Sequence, residues 1–386
     1  MVNEGPWNTS SIMLTDEEIP LSFKICVLQG VYGPGAGNDY SGSLGARISS
    51  VFVILVVSTL FTIFPLLAQR FNCLKIPFYG YLFARHFGTG VIIATAWVHL
   101  MDPAYQEIGP NSCVGMTGNW AKYSWPPALM LIAIVLIFLV DICSQAVVKR
   151  KYGYRRGLDH HHADKIEEAI ITERTIVSHP FDVEGFSSEN LSFNGKKLSG
   201  EKLHGLDIAE TSKPTTEMQA EFSFNSQISA FLILEFGIVF HSVMIGINLG
   251  ALGAEFKTLY IVLVFHQSFE GLGIGARLSG IPIPENKPKW LPWLCCIAYG
   301  FVTPISIAIG LGVKSIYFSN SFAANIIQGV LDSLSAGILM YTGLLELIAR
   351  DFIFNPAATD DLQRLAFLII SVLLGAGIMS LLGEWA

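Results

Sequence analysis

Residues 228–278 read ISAFLILEFGIVFHSVMIGINLGALGAEFKTLYIVLVFHQSFEGLGIGARL. Two long apolar runs stand here, Ile228–Ala251 and Thr258–Leu278, each with a histidine in its interior. A span of a bilayer takes about 20 apolar residues, so each run reads as a transmembrane helix. The runs also repeat one another. Val239-Phe240-His241-Ser242-Val243-Met244-Ile245-Gly246, followed by Gly250-Ala251, matches Val264-Phe265-His266-Gln267-Ser268-Phe269-Glu270-Gly271, followed by Gly275-Ala276. Consecutive spans run in opposite directions. The pair is therefore a local antiparallel repeat with polar residues near the midplane, which is how many transporters build a substrate site.

The same pattern extends outward. Further spans are predicted at Arg47–Ala68, Phe78–Leu100, Pro126–Val148, Leu291–Val313, Phe322–Ile348 and Leu365–Gly383. Of 386 residues, 52% are hydrophobic and 14% are charged, whereas a soluble domain carries about 25% charged residues. The mean hydropathy is +0.50. The chain is thus expected to be all-α, a polytopic membrane protein of eight transmembrane helices. Its net charge of -7 argues against nucleic acid as a partner.

Orientation follows from the basic residues. With the N-terminus outside, only Lys24, Arg47, Lys122, Lys257 and Lys314 fall on the outer side or at outer helix ends. Lys149, Arg150, Lys151, Arg155 and Arg156 directly follow the third span and fix its end in the cytosol. Both termini are then extracellular. Trp120, Trp125, Trp290, Trp293 and Trp385 fall near the expected interfaces, as tryptophans favour. Four stretches result: an acidic extracellular tail over 1–45, three spans in 46–148, a polar cytoplasmic loop over 149–221 expected to be disordered, and five spans in 222–386. Asn8 opens a glycosylation sequon on the outside, and Asn190 opens one in the loop where no glycan reaches. Cys26 and Cys113 both fall in polar outer segments; whether they bond is left open.

The chemistry centres on the repeat. His266 and Glu270 are one turn apart on one helix face. An imidazole nitrogen and a carboxylate so placed make half a site for zinc or a similar divalent ion. His241 supplies a third ligand from the neighbouring span. Gln267 and Ser242 add oxygens or hold the ligands in place. Two other readings stay open: interhelical hydrogen bonding, and a proton relay without metal. His99 and Asp102, at the outer end of the second span, suit an entrance for the ion or an interfacial polar pair without a role. Glu235, Asp141, Asp332 and Glu346 also lie in or beside spans, with Asp332 the deepest and without an obvious partner. In the loop, His160, His161 and His162, with His179 and His204 further on, suit either a cytoplasmic metal-binding tract or an incidental solvated loop. Lys196, Lys197 and Lys202 there are candidate attachment points for ubiquitin machinery. Neither a nucleotide-binding motif nor HExxH is present, so neither ATP-driven pumping nor metalloprotease chemistry is expected.

These residues resemble the ZIP (Zrt/Irt-like) metal transporters. HSVMIGINLG and HQSFEGLGIGARL resemble that family's two signature helices. GTGVIIATAWVHLMDPA, GVLDSLSAGILMYTGLLELIARDFIFNP and LLGEWA are similar to its fungal plasma-membrane zinc-uptake members. The resemblance implies eight helices, both termini outside, a long cytoplasmic loop after the third helix and a metal site on the fourth and fifth. It assigns metal binding to His241, His266 and Glu270, flanking polar roles to Ser242 and Gln267, and metal entrance to His99 and Asp102. Some members carry a glutamate where this chain has Ile245, so one main site is expected rather than a two-metal centre. The implied function is uptake of Zn2+, or another divalent metal, into the cytosol. Zinc is then the transported substrate, no cofactor is permanently bound, and the plasma membrane is the location. A homodimer is a further expectation. The rival class is a membrane metal sensor signalling through its loop.

Overall fold

The structure is a computed structural model, and it describes residues 13, 15, 17–29, 31, 44–71, 76–152, 216–252, 256–314, 321–353 and 361–384. Asn8, His160, His161, His162, His179, Asn190, Lys196, Lys197, Lys202, His204 and Trp385 lie outside the described residues. Among those described there are helices and turns and no strand. A short helix, Leu21–Leu28, precedes the long ones. The long helices are α1 (Leu44–Arg70), α2 (Phe78–Ala94), α3 (Trp125–Tyr152), α4 (Thr216–Ala251), α5 (Phe256–Ser279), α6 (Leu291–Val313), α7 (Phe322–Tyr341) and α8 (Leu362–Gly383). Helix α4 starts at Thr216, inside the stretch assigned above to the loop. Its first turns carry Glu217, Gln219 and Glu221, which an apolar-run criterion passes over.

Two helices change their winding. Helix α2 continues through a π-helical stretch, Thr95–Met101, into Asp102–Ile108. Pro103 explains the irregularity. It has no N–H to give to the carbonyl of His99, and its ring crowds that carbonyl, so the regular i to i−4 ladder cannot continue. Helix α7 runs on as a π-helical stretch, Thr342–Ile353.

Among the described residues, seven helical segments are long and apolar enough to cross a membrane by length and composition. They match every expected span except the second, where the regular helix is 17 residues long before the π-stretch begins. The chain is a multi-pass helical membrane protein. Lipid explains the exposed apolar residues. Only 17% of the most apolar window of α3 is buried, and Leu131, Leu136, Leu139 and Val140 face outward along it.

Packing divides the helices into two groups. In one, α1 lies against α5 and α6, and α4 against α6; in the other, α2 lies against α8 and α3 against α7. Contacts of α2 with α5 and of α7 with α4 join them. Apolar burial supplies no drive between helices in lipid, so close backbone approach matters more than in water. At the α2–α5 crossing Gly88 faces Gly273, and a β-carbon on Gly88 would fall 2.2 Å from the Gly273 Cα.

Polar ties fix the ends. Buried Arg47 of α1 donates through Nη1 to the carbonyls of Leu249 (3.4 Å) and Gly250 (3.2 Å) and lies 4.5 Å over the Phe256 ring. A cation at the last carbonyls of α4 suits the negative end of that helix. At the other end Asp351 accepts from Arg85 at 2.7 Å, with Arg277 at 3.7 Å and His86 at 3.8 Å. Arg277 also donates to Thr89 at 2.6 Å. This cluster links the α7 extension to α2 and α5. A Cys26–Cys113 disulfide ties the short N-terminal helix to the segment after α2, with the Cα atoms 4.5 Å apart.

Candidate metal site

The repeat brings its residues together inside the protein. His241 and Ser242 on α4, and His266, Gln267 and Glu270 on α5, are all buried. The His241 and His266 rings lie 5.3 Å apart, centroid to centroid. His266 Nε2 is 3.6 Å from Glu270 Oε2, within one turn of α5. His99 also belongs to this group. It is buried, its ring stands 5.1 Å from that of His266, and its Nε2 is 3.0 Å from the Met379 carbonyl of α8. Asp102, its sequence partner, is exposed and accepts from Gln106 at 2.8 Å. The two candidate entrance residues thus occupy different settings, one inside and one at the surface.

Helices α1 and α6 complete the surroundings. Tyr299 donates to Glu270 Oε2 at 2.9 Å and is 3.2 Å from Gln267 Oε1. Ser58 donates to the same Gln267 oxygen at 3.4 Å. The amide oxygen of Gln267 is therefore turned to hydroxyls, and one carboxylate oxygen of Glu270 is held. Neither hydroxyl is singled out by the sequence, because each lies in a long apolar run with no histidine or carboxylate at helical spacing. A signal exists: Cys296, Tyr299, Thr303 and Ser306 form a stripe of small or polar groups along one face of α6.

What remains unpartnered is informative. His241 Nε2, both ring nitrogens of His266, Glu270 Oε1, Ser242 Oγ and Gln267 Nε2 are buried without a hydrogen-bond partner. Buried polar groups are nearly always paired, so several orphans in one place call for an explanation. Imidazole nitrogens and a carboxylate oxygen are the donor set that divalent zinc prefers. Among the described residues no three His, Cys, Asp or Glu side chains form a closed metal-holding group. The donors are neighbours, not a finished cage. Asp332 is buried on α7, and no hydrogen bond joins it to this group among the described residues. Asp141 accepts from Tyr341 at 2.9 Å and from Gln145 at 3.0 Å, and Glu346 pairs with Arg350 at 3.0 Å, so both are locally satisfied.

Tyr299→Phe tests how far the hydroxyl sets the Glu270 geometry. A hydrogen bond to a charged group contributes about 1.5–3 kcal/mol. The substitution is expected to raise the apparent KM for zinc about tenfold or more with unchanged surface level. An unchanged KM would deny Tyr299 that role.

A helical membrane protein with a cluster of cation-ligand donors buried between its spans has the make-up of a membrane transporter of metal ions. The family profile described as ZIP Zinc transporter matches residues 44–383, and the chain belongs to that family, whose members are transporters and not enzymes. The chain is 55% identical to Zinc-regulated transporter 1 of Saccharomyces cerevisiae over 380 residues, covering 98% of this chain and 97% of that one. It is 36% identical to Zinc-regulated transporter 1 of Schizosaccharomyces pombe, covering 90% and 87%. To Zinc transporter 9 of Oryza sativa it is 31% identical, covering 91% of both chains.

Proposed function

We propose that this protein carries zinc from outside the cell into the cytosol, through a site formed by His241, His266 and Glu270 between α4 and α5. The observation that supports it most is the set of unpartnered buried donors on those three residues. Ser242 and Gln267 flank the ligands. His99, against His266, is the entrance residue next to the site, and exposed Asp102 draws cations toward it. Ile245 stands where α5 has Glu270, which favours one main site. The relatives' names, zinc-regulated transporter and zinc transporter, support zinc as the cargo. A doubly charged ion entering a negative interior gains about 4.6 kcal/mol per 100 mV, so influx needs no nucleotide.

In the same reading α2 with its π-stretch is the eighth span, both termini are extracellular, and the membrane is the plasma membrane. The Cys26–Cys113 disulfide supports that orientation, since disulfides persist on the oxidising side. The histidines at 160–162, the ubiquitin sites and the homodimer rest on sequence alone. Radiolabelled zinc uptake in cells lacking their own zinc importers tests the function. Saturable accumulation is expected, and a protein that binds zinc at the surface but accumulates none would be a sensor instead.

Topology has its own test. On intact cells, a membrane-impermeant maleimide is expected to label Cys26 and Cys113 only after an impermeant reductant has been applied. Labelling that also needs permeabilised cells would place this end inside and reverse the direction of every span.

A further inference from the structure

The seam between α4 and α6 carries polar groups beyond the site described above. The two helices run in one register. A β-carbon on Gly246 would fall 2.6 Å from the Ser306 Cβ, and one on Gly250 would fall 2.8 Å from the Gly310 carbonyl carbon. Carried back along both helices, that register sets Glu235 opposite Cys295. Glu235, Val239, Ser242 and Gly246 share one face of α4 at helical spacing. Leu234 and Ile238, which flank Glu235 on α4, pack in one apolar cluster with Cys296 and Tyr299, with Cys295 against it, which agrees with the register. Glu235 is half-buried, and among the described residues it accepts no hydrogen bond and meets no cation. An acid at membrane depth without a partner is costly and marks a pathway.

Its position is specific. Ser242 lies two turns further along α4, about 10 Å away. Tyr299, which holds Glu270, is one turn along α6 from Cys295 and Cys296. On the other side a cavity of about 340 Å³ opens at the ends of α1, α5 and α6. Leu66, Leu278, Pro292 and Trp293 line it, with Arg70 and Lys289 among the polar groups and no carboxylate. Two cationic side chains and no carboxylate make that opening unfavourable for a metal ion.

We propose that Glu235 is a second, weaker resting place for the metal ion, between the His241–His266–Glu270 site and the cytosol. The inference rests on the transport reading above. The ion is held there by one carboxylate and water, with the Cys295 sulfur beside it. A weak site suits release, because conduction requires that an ion bind well enough to enter and loosely enough to leave. Glu235 then sets how fast zinc leaves the main site and not how tightly it is captured from outside.

The test uses the full-length protein in liposomes with a zinc gradient. Glu235→Gln is expected to lower the maximal rate about tenfold with KM unchanged, and Glu235→Asp is expected to restore most of the rate. A structural defect alone would not show that rescue. Glu270→Ala run in parallel separates the two ideas. If Glu270→Ala transports normally, the main site is wrong; if it is inactive while Glu235→Gln runs at the wild-type rate, only the second site is. A measurement on wild type avoids dependence on folding of the variant. Zinc is expected to slow maleimide modification of Cys295, read by peptide mass spectrometry. Unprotected Cys295 at saturating zinc would overturn the proposal.

Discussion

Replacing His241, His266 or Glu270 by alanine is expected to remove most zinc uptake while leaving the protein at the cell surface. The three side chains adjoin one another within the bundle, with ring centroids 5.3 Å apart for the histidines and 3.6 Å between His266 Nε2 and Glu270 Oε2. Zinc prefers four ligands, and the described protein offers few to spare, so losing one leaves a site that no longer competes with water. A loss of one to two orders of magnitude in uptake corresponds to about 1.4–2.8 kcal/mol. Folding should tolerate these changes. Several polar atoms on these residues have no protein partner, so alanine removes no hydrogen bond made by them. Among the described residues Glu270→Ala alone of the three breaks a hydrogen bond, the one from Tyr299, and it should show the largest fall in thermal stability. Near-wild-type uptake in any two of the variants would remove the site from the pathway.

Gly273→Leu is expected to abolish uptake by a different route. A β-carbon on Gly273 would come within 2.6 Å of the Gly88 Cα, which is backbone and cannot turn away. The crossing helices would have to separate, and α2 and α5 carry His99 and His266, whose rings touch. Overpacking a tight contact costs about 1–3 kcal/mol or more, and here it also pulls site residues apart. Detergent-solubilised protein should melt at a lower temperature and reach the surface poorly. Gly377→Leu is the control, since nothing lies within 4 Å of a β-carbon there, and it should transport normally. Normal uptake by Gly273→Leu would mean that the Gly88–Gly273 crossing does not hold the site.

Most of the helical plan was legible because lipid demands long apolar runs, and those runs stand in the sequence without ambiguity. The start of α4 was not, since its first turns are polar and carry no apolar run. The π-stretch on α2 was not read either, although Pro103 marks the place. For the site, His266 and Glu270 were legible from spacing alone, because one helix face fixes both. The sequence puts His99 at the outer end of the second span and does not show that its ring stands against His266, because proximity between distant spans has no sequence spacing to announce it. Tyr299 and Ser58 are hidden for the same reason, being hydroxyls whose meaning depends on which helix they face.

The most direct test of zinc passage through this site is flux through the purified protein in sealed liposomes holding a zinc-sensitive dye, with an inside-negative potential imposed. Wild-type protein should give saturable zinc influx that grows with the potential, and the His266→Ala and Glu270→Ala proteins should give none above empty liposomes. Equal influx through wild type and both variants, or no influx through folded wild-type protein, would contradict the account.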